Sequence, residues 1–169
     1  MTQEDFVEII APFKDKMYRL AKRILVSNDE AEDAVQEVLL KLWKGRARIE
    51  SYKKPEAFAM TMTKNYCLDR LKSKQAGHLT IVHSNYAPSS ERLQDQIEAN
   101  DGVSIVFKLM ETLPEQQKLV LQLRDVEHYE FKEIAQILEM NETAIRVALS
   151  RARKTIRQAL IKQYNYGVS

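Results

Sequence analysis

The stretch that most constrains this chain is Phe131 to Arg157, where a short polar break separates two apolar stripes with helical spacing. The residues before the break recur at i, i+3, i+4 and i+7, the period of a helix with one buried face: Phe131, Ile134, Ala135 and Leu138. The stripe after the break consists of Ile145, Leu149, Ala152, Ile156 and Ala159. This pattern predicts a short helix, a turn and a longer helix.

The longer helix also has a basic face, distinct from its apolar one. That face contains Arg146, Ser150, Arg153 and Arg157, with Arg151 and Lys154 beside them. Asn141, in the break, is predicted to cap the helix because its side chain can accept from an unpaired backbone N–H. A solvated basic face would be the simpler interpretation. The turn, the preceding amphipathic helix and the segregated arginines occur together, however, and this combination is typical of a DNA-binding helix-turn-helix.

Composition indicates an all-α protein and offers no catalytic constellation. Only four of the 169 residues are Gly and four are Pro, and strand-like runs are few. The single cysteine, Cys67, excludes an internal disulfide and a multi-cysteine zinc site. The histidines match no metal or triad spacing, so we expect no metal, no cofactor and no enzyme. The absence of a long apolar run predicts a cytoplasmic protein without a signal peptide or membrane span.

Charge is distributed unevenly, although the net charge is only +2. From Asn141 to Ser169 there are six basic residues and one acid, whereas Asp29 to Glu37 contains five acids and no base. This asymmetry suggests one surface for a polyanion and another for a basic partner.

The apolar pattern divides the chain into two small helical domains and a flexible linker. We expect a first domain at residues 1–74, a linker at 75–102 and a second domain at 103–169. The linker prediction rests on fading periodicity and on turn residues around Pro88, with a short helix at Glu91 to Ala99.

Punctuating residues predict the helix ends of the first domain. Pro12 marks a kink or break in the first apolar stripe. Asn28 is expected to cap a second helix, and Gly45 to stop or bend it. A polar connection at Glu50 to Pro55 should lead to a third helix that ends at about Lys72.

The second helix has an acidic outer face. Asp33, Gln36 and Glu37 lie there at i, i+3 and i+4. Spacing alone favours a solvated face. The functional alternative is a docking surface for a basic helical partner, where charge complementarity sets specificity and the association rate.

The third helix mixes aromatic, basic and amide side chains between Phe58 and Lys72. Aromatic rings can stack on unpaired bases while cations follow the phosphates. The period favours a core position for Phe58. Asn65 is a polar amide near an apolar face, where it needs a partner.

Taken in chain order, these segments resemble a bacterial RNA polymerase sigma factor of the small extracytoplasmic-function (ECF) type. Asp29-EAEDAVQEVLLKLW resembles the core-binding helix of region two, and Thr63-KNYCLDRLK resembles its minus-ten reading helix. Leu113-PEQQKLVLQLRDVEHYEFKEIA and Asn141-ETAIRVALSRARKTI resemble region four. The resemblance covers nearly the whole chain. It implies a factor that binds core RNA polymerase and directs promoter-specific transcription initiation.

The resemblance also implies a role for each matching position. The residues that would meet the β′ clamp helices of core polymerase are Asp33, Gln36, Glu37, Leu40 and Trp43. Asn65, with the loop from Ile49 to Lys54 that includes Tyr52 and Lys53, would capture a base of the opened minus-ten element. The residues that would contact the minus-thirty-five duplex are Arg124, Thr143, Arg146, Val147, Ser150 and Arg151, with Arg153 near the phosphates.

Further partners are implied by the resemblance alone. The second domain would meet the β flap of the polymerase, and an anti-sigma factor, often membrane-tethered in relatives, would hold the protein inactive. The acids of the linker would mimic nucleic-acid charge near the RNA exit path: Glu91, Asp95, Glu98 and Asp101.

Two positions depart from the family pattern. Glu139 stands where the turn of the helix-turn-helix usually has glycine, and His128 occupies another position that often carries glycine. A non-glycine residue in the left-handed backbone region is strained, so the geometry of the turn is the structural question that the sequence raises.

From the residues without the resemblance, other functions stay open. A free-standing helix-turn-helix regulator would bind its duplex site without polymerase, often as a dimer. An adaptor would use the acidic helix for a basic protein and leave the helix-turn-helix unused. DNA binding with and without core enzyme separates the regulator from the sigma factor.

Overall fold

The computed structural model describes residues 1–80 and 101–167, with side-chain burial defined for 1–75 and 102–165. Over these residues the only regular structure is helical, which confirms the predicted all-α class. The helices are α1 (Gln3–Ile10), α2 (Lys14–Leu25), α3 (Asn28–Lys44), α4 (Arg46–Ser51), α5 (Pro55–Thr80), α6 (Asp101–Glu111), α7 (Glu115–Leu121), α8 (Phe131–Leu138) and α9 (Glu142–Gly167). A π-helical turn, Gln122–Val126, continues directly from α7.

The described helices fall into two compact units. The first contains α1 to α5. The second contains α6, α7, the π-helical turn, residues 131–135 of α8, and α9. None of the described helices is long and apolar enough to cross a membrane.

The core of the first unit forms where α2, α3 and α5 pack against one another. Met17, Leu20 and Ile24 recur along one face of α2 and are buried, as are Val38 of α3 and Met60 of α5. Burial of a side chain of this size contributes roughly 1.5–3 kcal/mol relative to exposure. The core therefore fixes the orientation of α3 and α5, whose outer faces carry the predicted binding residues.

Local hydrogen bonds and backbone conformation set the ends of α1 and α2. Thr2 and Asp5 form a reciprocal capping box at the start of α1, with both bonds at 3.1 Å. The backbone and side-chain hydrogen bonds from Thr2 lower the pKa of Asp5. Pro12 lies between the end of α1 and the start of α2, so the predicted break is confirmed. Val26 ends α2 in the left-handed conformation at φ 57°.

The N-cap of α3 is one residue earlier than predicted. Ser27 caps the helix, and its hydroxyl accepts from the Glu30 N–H at 3.3 Å. Asn28 is instead the first helical residue, and its side-chain oxygen accepts from the Tyr18 hydroxyl at 2.9 Å. The prediction was wrong because Ser27 and Asn28 both suit the N-cap position. The Asn28 side chain forms a hydrogen bond with Tyr18 instead, and Ser27 caps the helix.

The connection between α3 and α5 and the end of α5 also differ from the prediction. Gly45 ends α3, as predicted, but α4 begins immediately and runs to Ser51, so the polar connection is shorter than expected. α5 continues past Lys72 to Thr80. Its apolar periodicity ends before its helical backbone does. Lys74 lies in this continuation and contacts Glu30 at 2.6 Å.

In the second unit, α9 packs against α6 and α7. The predicted apolar stripe of α9 is confirmed for Ile145, Leu149, Ala152 and Ile156, which are buried, whereas Ala159 at its end is only half-buried. Burial of this stripe leaves the opposite, basic face of the helix on the surface.

Several predictions fall outside the described residues. These include the short helix at Glu91 to Ala99 and three of the acids given a nucleic-acid-mimicking role, Glu91, Asp95 and Glu98. Asp101 begins α6. The domain limits at 1–74, 75–102 and 103–169 stay predictions.

Candidate nucleic-acid interface

The exposed face of α9 carries the residues predicted to meet duplex DNA. Asn141 caps the helix as predicted, with its side-chain oxygen accepting from the Ala144 N–H at 2.7 Å. The exposed residues of one stripe are Thr143, Arg146, Val147, Ser150, Arg153, Lys154 and Arg157. Arg151 is also exposed and lies at the edge of this stripe, four residues after Val147 and about 100° round the helix from Ser150. The stripe thus combines cations with small side chains that permit close approach to a groove.

Glu139 and His128, which stand where the resembled family usually has glycine, both have a backbone conformation that glycine favours. Glu139 ends α8 at φ 56° and ψ 46°, in the left-handed region. His128, between the π-helical turn and α8, lies at φ 63°. The turn therefore retains its geometry at an energetic cost, since a side chain in this region is disfavoured by roughly 1–2 kcal/mol.

Two arginines share one aromatic ring at the start of α8. The guanidinium carbon of Arg124 lies over the Phe131 ring at 4.5 Å from its centroid, and that of Arg146 lies over it at 5.1 Å. Arg124 also donates from Nη1 to the carbonyl oxygen of Tyr129 at 2.8 Å. Arg124 belongs to the π-helical turn and Arg146 to α9. The structure therefore brings together two predicted DNA contacts that are distant in sequence.

Arg153 is held by a carboxylate that the sequence had not indicated. Its Nε and Nη2 donate to the two oxygens of Asp125 at 3.0 and 2.6 Å. These hydrogen bonds raise the pKa of Arg153. The two residues are 28 positions apart in the sequence, so no local pattern indicated that they pair.

A shallow groove of about 510 Å³ runs along this surface. The residues that line it are Phe131, Arg146, Leu149, Ser150, Arg153, Lys154 and Arg157. Four of the seven carry a positive charge, so the groove is suited to an anionic ligand of extended shape.

In the first unit, the acidic face of α3 is solvent-exposed. Asp33, Gln36, Glu37 and Leu40 are exposed at successive turns, and Leu40 has 46% of its surface accessible. Ala34, Val35, Val38 and Leu42 are buried on the other side. The stripe joins acids to an exposed apolar side chain, a composition that suits a basic amphipathic partner.

Trp43 continues this stripe but is only partly available. It is half-buried, with its ring 5.3 Å from that of Phe6 in an edge-on arrangement. The Arg46 guanidinium lies over the same ring at 4.2 Å. Trp43 therefore anchors α1 and α4 to the end of α3 as well as bordering the acidic face.

Asn65 lies on α5, Tyr52 lies just before this helix, and both are exposed. Asn65 therefore does not need the partner expected for an amide near an apolar face. Tyr52 stacks on Phe58 with ring centroids 4.7 Å apart, and Lys53 beside it is exposed. Asn65 follows Phe58 by seven residues, so it lies on the same face about 10 Å along the axis. Phe58, for which the helical period favoured a core position, is only half-buried, and its ring stacks against that of Tyr52. This face can offer a stacking surface and an amide to unpaired bases.

Other groups of the described residues offer little chemistry. No set of three or more His, Cys, Asp or Glu side chains among them could hold a metal ion. Cys67 is fully buried, and burial raises its pKa to about 12, so its thiol is not a nucleophile at neutral pH.

Sequence profiles and curated relatives match this chain over most of its length. Residues 9–77 match the family described as Sigma-70 region 2, and residues 105–156 match Sigma-70, region 4. ECF RNA polymerase sigma factor SigK of Mycobacterium tuberculosis is 25% identical over 162 residues, which cover 94% of this chain and 87% of SigK. ECF RNA polymerase sigma factor SigW of Bacillus subtilis is 21% identical over 168 residues, covering 94% and 90%.

Solved structures share the fold. The sigma factor RpoE of Bartonella quintana, determined in complex with the anti-sigma factor NepR, superposes with a TM-score of 0.77 at 18% identity, covering 93% of this chain and 97% of RpoE. CnrH, determined in complex with the cytosolic domain of CnrY, gives 0.67 at 16% identity, covering 95% and 90%. Two consecutive regions of one family thus account for most of the sequence, and the chain belongs to the sigma-70 family as an ECF-type sigma factor that directs transcription initiation.

Proposed function

We propose that this sigma factor binds core RNA polymerase through the acidic face of α3 and reads promoter DNA through two separate surfaces. The observation that carries the proposal is the segregation of charge on the exposed faces of two helices. α3 exposes Asp33 and Glu37, whereas α9 exposes Arg146, Lys154 and Arg157. One protein surface suits a basic partner and the other suits a polyanion.

The partner of α3 would be the β′ clamp helices of the polymerase. Asp33, Gln36 and Glu37 supply charge and hydrogen-bond acceptors, and Leu40 supplies an apolar contact that desolvates on docking. Trp43 borders the same face. Charge complementarity would set the association rate and orientation, while the apolar contact would slow dissociation.

The second unit would bind the upstream duplex element. A helix of this type lies in the major groove, where arginines donate to guanine edges and small residues allow close approach. Arg124, Arg146 and Ser150 would contact the duplex, with Thr143, Val147 and Arg151 at its borders and Arg153 near a phosphate. The same unit would dock on the β flap.

The first unit would bind the opened downstream element. Asn65 would hydrogen-bond an unstacked base. Tyr52 would stack on the adjacent strand, and Lys53 would neutralise its negative charge. Unstacking a base costs a few kcal/mol, which hydrogen bonds and stacking in a specific site can offset. Two modest sites on one polymerase gain from high effective concentration, so neither needs to bind tightly alone.

Regulation by an anti-sigma factor belongs to the same proposal. Support comes from the relatives RpoE and CnrH, whose structures were solved with NepR and with the cytosolic domain of CnrY. We place the protein's action in the cytoplasm with core polymerase, where it acts as an initiation factor and not as an enzyme.

A mobility-shift experiment tests the proposal against a free-standing regulator. Labelled promoter fragments are incubated with the chain alone, with core polymerase alone and with both. We expect a sequence-specific complex only when both are present. An equally specific complex with the chain alone would favour the regulator.

Charge reversal tests the assignment of the acidic face. Glu37→Arg should reduce co-purification with core polymerase by at least tenfold, because it opposes a basic partner with a like charge. Glu8→Arg makes the same charge change at an exposed position of α1 and is the matched control. Wild-type recovery of core by the Glu37 variant, with unchanged circular dichroism, would refute the assignment.

A further inference from the structure

Phe131 has no role in the DNA contacts assigned above, yet it touches two of the residues that make them. It is the first residue of α8 and is half-buried. The guanidinium groups of Arg124 and Arg146 lie over its ring, 4.5 and 5.1 Å from the centroid. We propose that Phe131 is a positioning residue whose ring holds both arginines in the orientation in which they contact the promoter duplex. This inference rests on the proposed DNA contacts of those two arginines.

Local hydrogen bonds and backbone conformation constrain the chain around Phe131, which a positioning role requires. Glu130 caps α8 in a reciprocal capping box with Glu133, whose side chain accepts from the Glu130 N–H at 3.3 Å. His128, three residues before Phe131, holds the left-handed conformation that turns the chain between the π-helical turn and α8. These constraints fix where the ring stands relative to Arg124.

The geometry leaves hydrogen-bond donors available for DNA. A guanidinium stacks through its flat face, while its N–H groups point outward in the plane of the group. The guanidinium carbon of Arg146 lies over the Phe131 ring, 5.1 Å from the centroid, and this contact engages none of the Arg146 N–H groups in a hydrogen bond. Arg124 uses only one nitrogen, Nη1, in its 2.8 Å bond to the Tyr129 carbonyl. Arg153 differs, because two of its donors are engaged by Asp125.

Orientation matters because a free arginine loses much side-chain freedom when it binds. An arginine that is already held against a ring loses less, so its hydrogen bonds to DNA contribute more to net affinity. Cation–π attraction at a partly exposed ring is modest, corresponding to about a twofold to fivefold change in an equilibrium constant for each pair. Two such pairs on one ring make the effect measurable.

The alternative is that Phe131 only fills space beside α9. Leucine would fill that space but lacks the π-face, whereas tyrosine keeps the ring. Phe131→Leu and Phe131→Tyr therefore separate the two roles. Packing alone predicts similar behaviour for both variants, while positioning predicts loss with leucine and rescue with tyrosine.

The test uses full-length chain assembled with core polymerase. The probe is a fluorescent duplex selected from random-sequence DNA by the wild-type holoenzyme. Phe131→Leu should raise the dissociation constant about fourfold or more, from two lost cation–π contacts, and Phe131→Tyr should stay within about twofold of wild type. In the Arg146→Ala background, Phe131→Leu should have a smaller effect. Wild-type affinity of the leucine variant, or failure of tyrosine to rescue, would overturn the inference.

A second measurement on the wild-type chain does not depend on the folding of any variant or on DNA. Ring currents should shift the Cδ protons of Arg124 and Arg146 upfield of those of the exposed Arg151 and Arg157 in NMR spectra. Absence of a shift for both would overturn the positioning role even if the duplex binds. A wild-type holoenzyme that selects no duplex would instead refute the proposed function, with the arginine shifts still deciding whether the ring holds the side chains.

Discussion

Arg153 presents its guanidinium edge to Asp125 through two hydrogen bonds, at 3.0 and 2.6 Å. The pairing spans 28 residues and links the π-helical turn to the exposed face of α9. A phosphate that approached Arg153 would compete with a carboxylate already in place. If Arg153 contacts DNA as proposed, Asp125 would act as an internal competitor that weakens the contribution of Arg153 to DNA affinity.

Replacement of Asp125 by asparagine tests this competition. Asp125→Asn should tighten binding to duplex DNA about twofold to fivefold at low salt, because Arg153 becomes available to a phosphate. The slope of log affinity against log salt should steepen by about one, as expected for one more phosphate contact. Fluorescence anisotropy of the holoenzyme over a salt series measures both.

Glu111→Gln is the control for Asp125→Asn, because it removes one negative charge at an exposed position outside the groove. It should leave the slope unchanged. If both variants shift affinity equally, only net charge matters and the competition is absent.

The two proposed DNA surfaces should respond to different substrates. Arg146→Ala should weaken binding of an upstream duplex by about fivefold or more, in line with the roughly 1–3 kcal/mol expected from a base-reading arginine. Asn65→Ala should leave that duplex unaffected and weaken binding of a fragment with an unpaired downstream strand. Anisotropy with each fragment and holoenzyme gives both numbers. Equal losses on the upstream duplex would contradict the division between α5 and α9.

Glycine at position 139 should stabilise the turn between α8 and α9. Glu139→Gly should be about 1 kcal/mol more stable than Glu139→Ala, because both remove the carboxylate but only glycine relieves the left-handed strain at φ 56°. The free energy of unfolding of the second unit, followed by circular dichroism in urea, provides the comparison. Identical stability of the two variants would mean that this backbone conformation carries no strain.

Gln122 should limit the stability of the second unit. Its side chain is fully buried, and neither amide atom has a hydrogen-bond partner among the described residues. Gln122→Met conserves shape and should raise the free energy of unfolding by about 1–3 kcal/mol, the usual cost of an unpaired buried polar group. Gln117→Met, at a half-buried position of α7, is the control and should change little. Lower stability of the Gln122 variant would show that the amide is satisfied in solution.

Sequence patterns predicted the elements whose cause is local. The Asn141 cap and the buried stripe of α9 follow from residue type and spacing, and both are present. The break at Pro12 has the same origin. Where two neighbours offered equivalent chemistry, as Ser27 and Asn28 do, local pattern could not decide between them.

Features that depend on tertiary contact were not predictable in the same way. Phe131 was expected only to contribute to an apolar face, because nothing in its own segment indicates that Arg124 and Arg146 converge on its ring. Nothing in the sequence around Asp125 indicated that its carboxylate pairs with Arg153. The sequence indicated only where the chain turns between these segments. His128 and Glu139 stand at positions where the family usually has glycine, and both lie at such turns.

Transcription in vitro tests the central claim most directly, namely that this chain gives core polymerase promoter specificity through two DNA surfaces. Purified core enzyme, with and without the chain, is supplied with fragments of a genomic library, and RNA 5′ ends are mapped. We predict discrete start sites that require the chain, are lost with Glu37→Arg, and share an upstream and a downstream element at fixed spacing. Start sites that are unchanged when the chain is omitted, or that lack shared elements, would contradict the account.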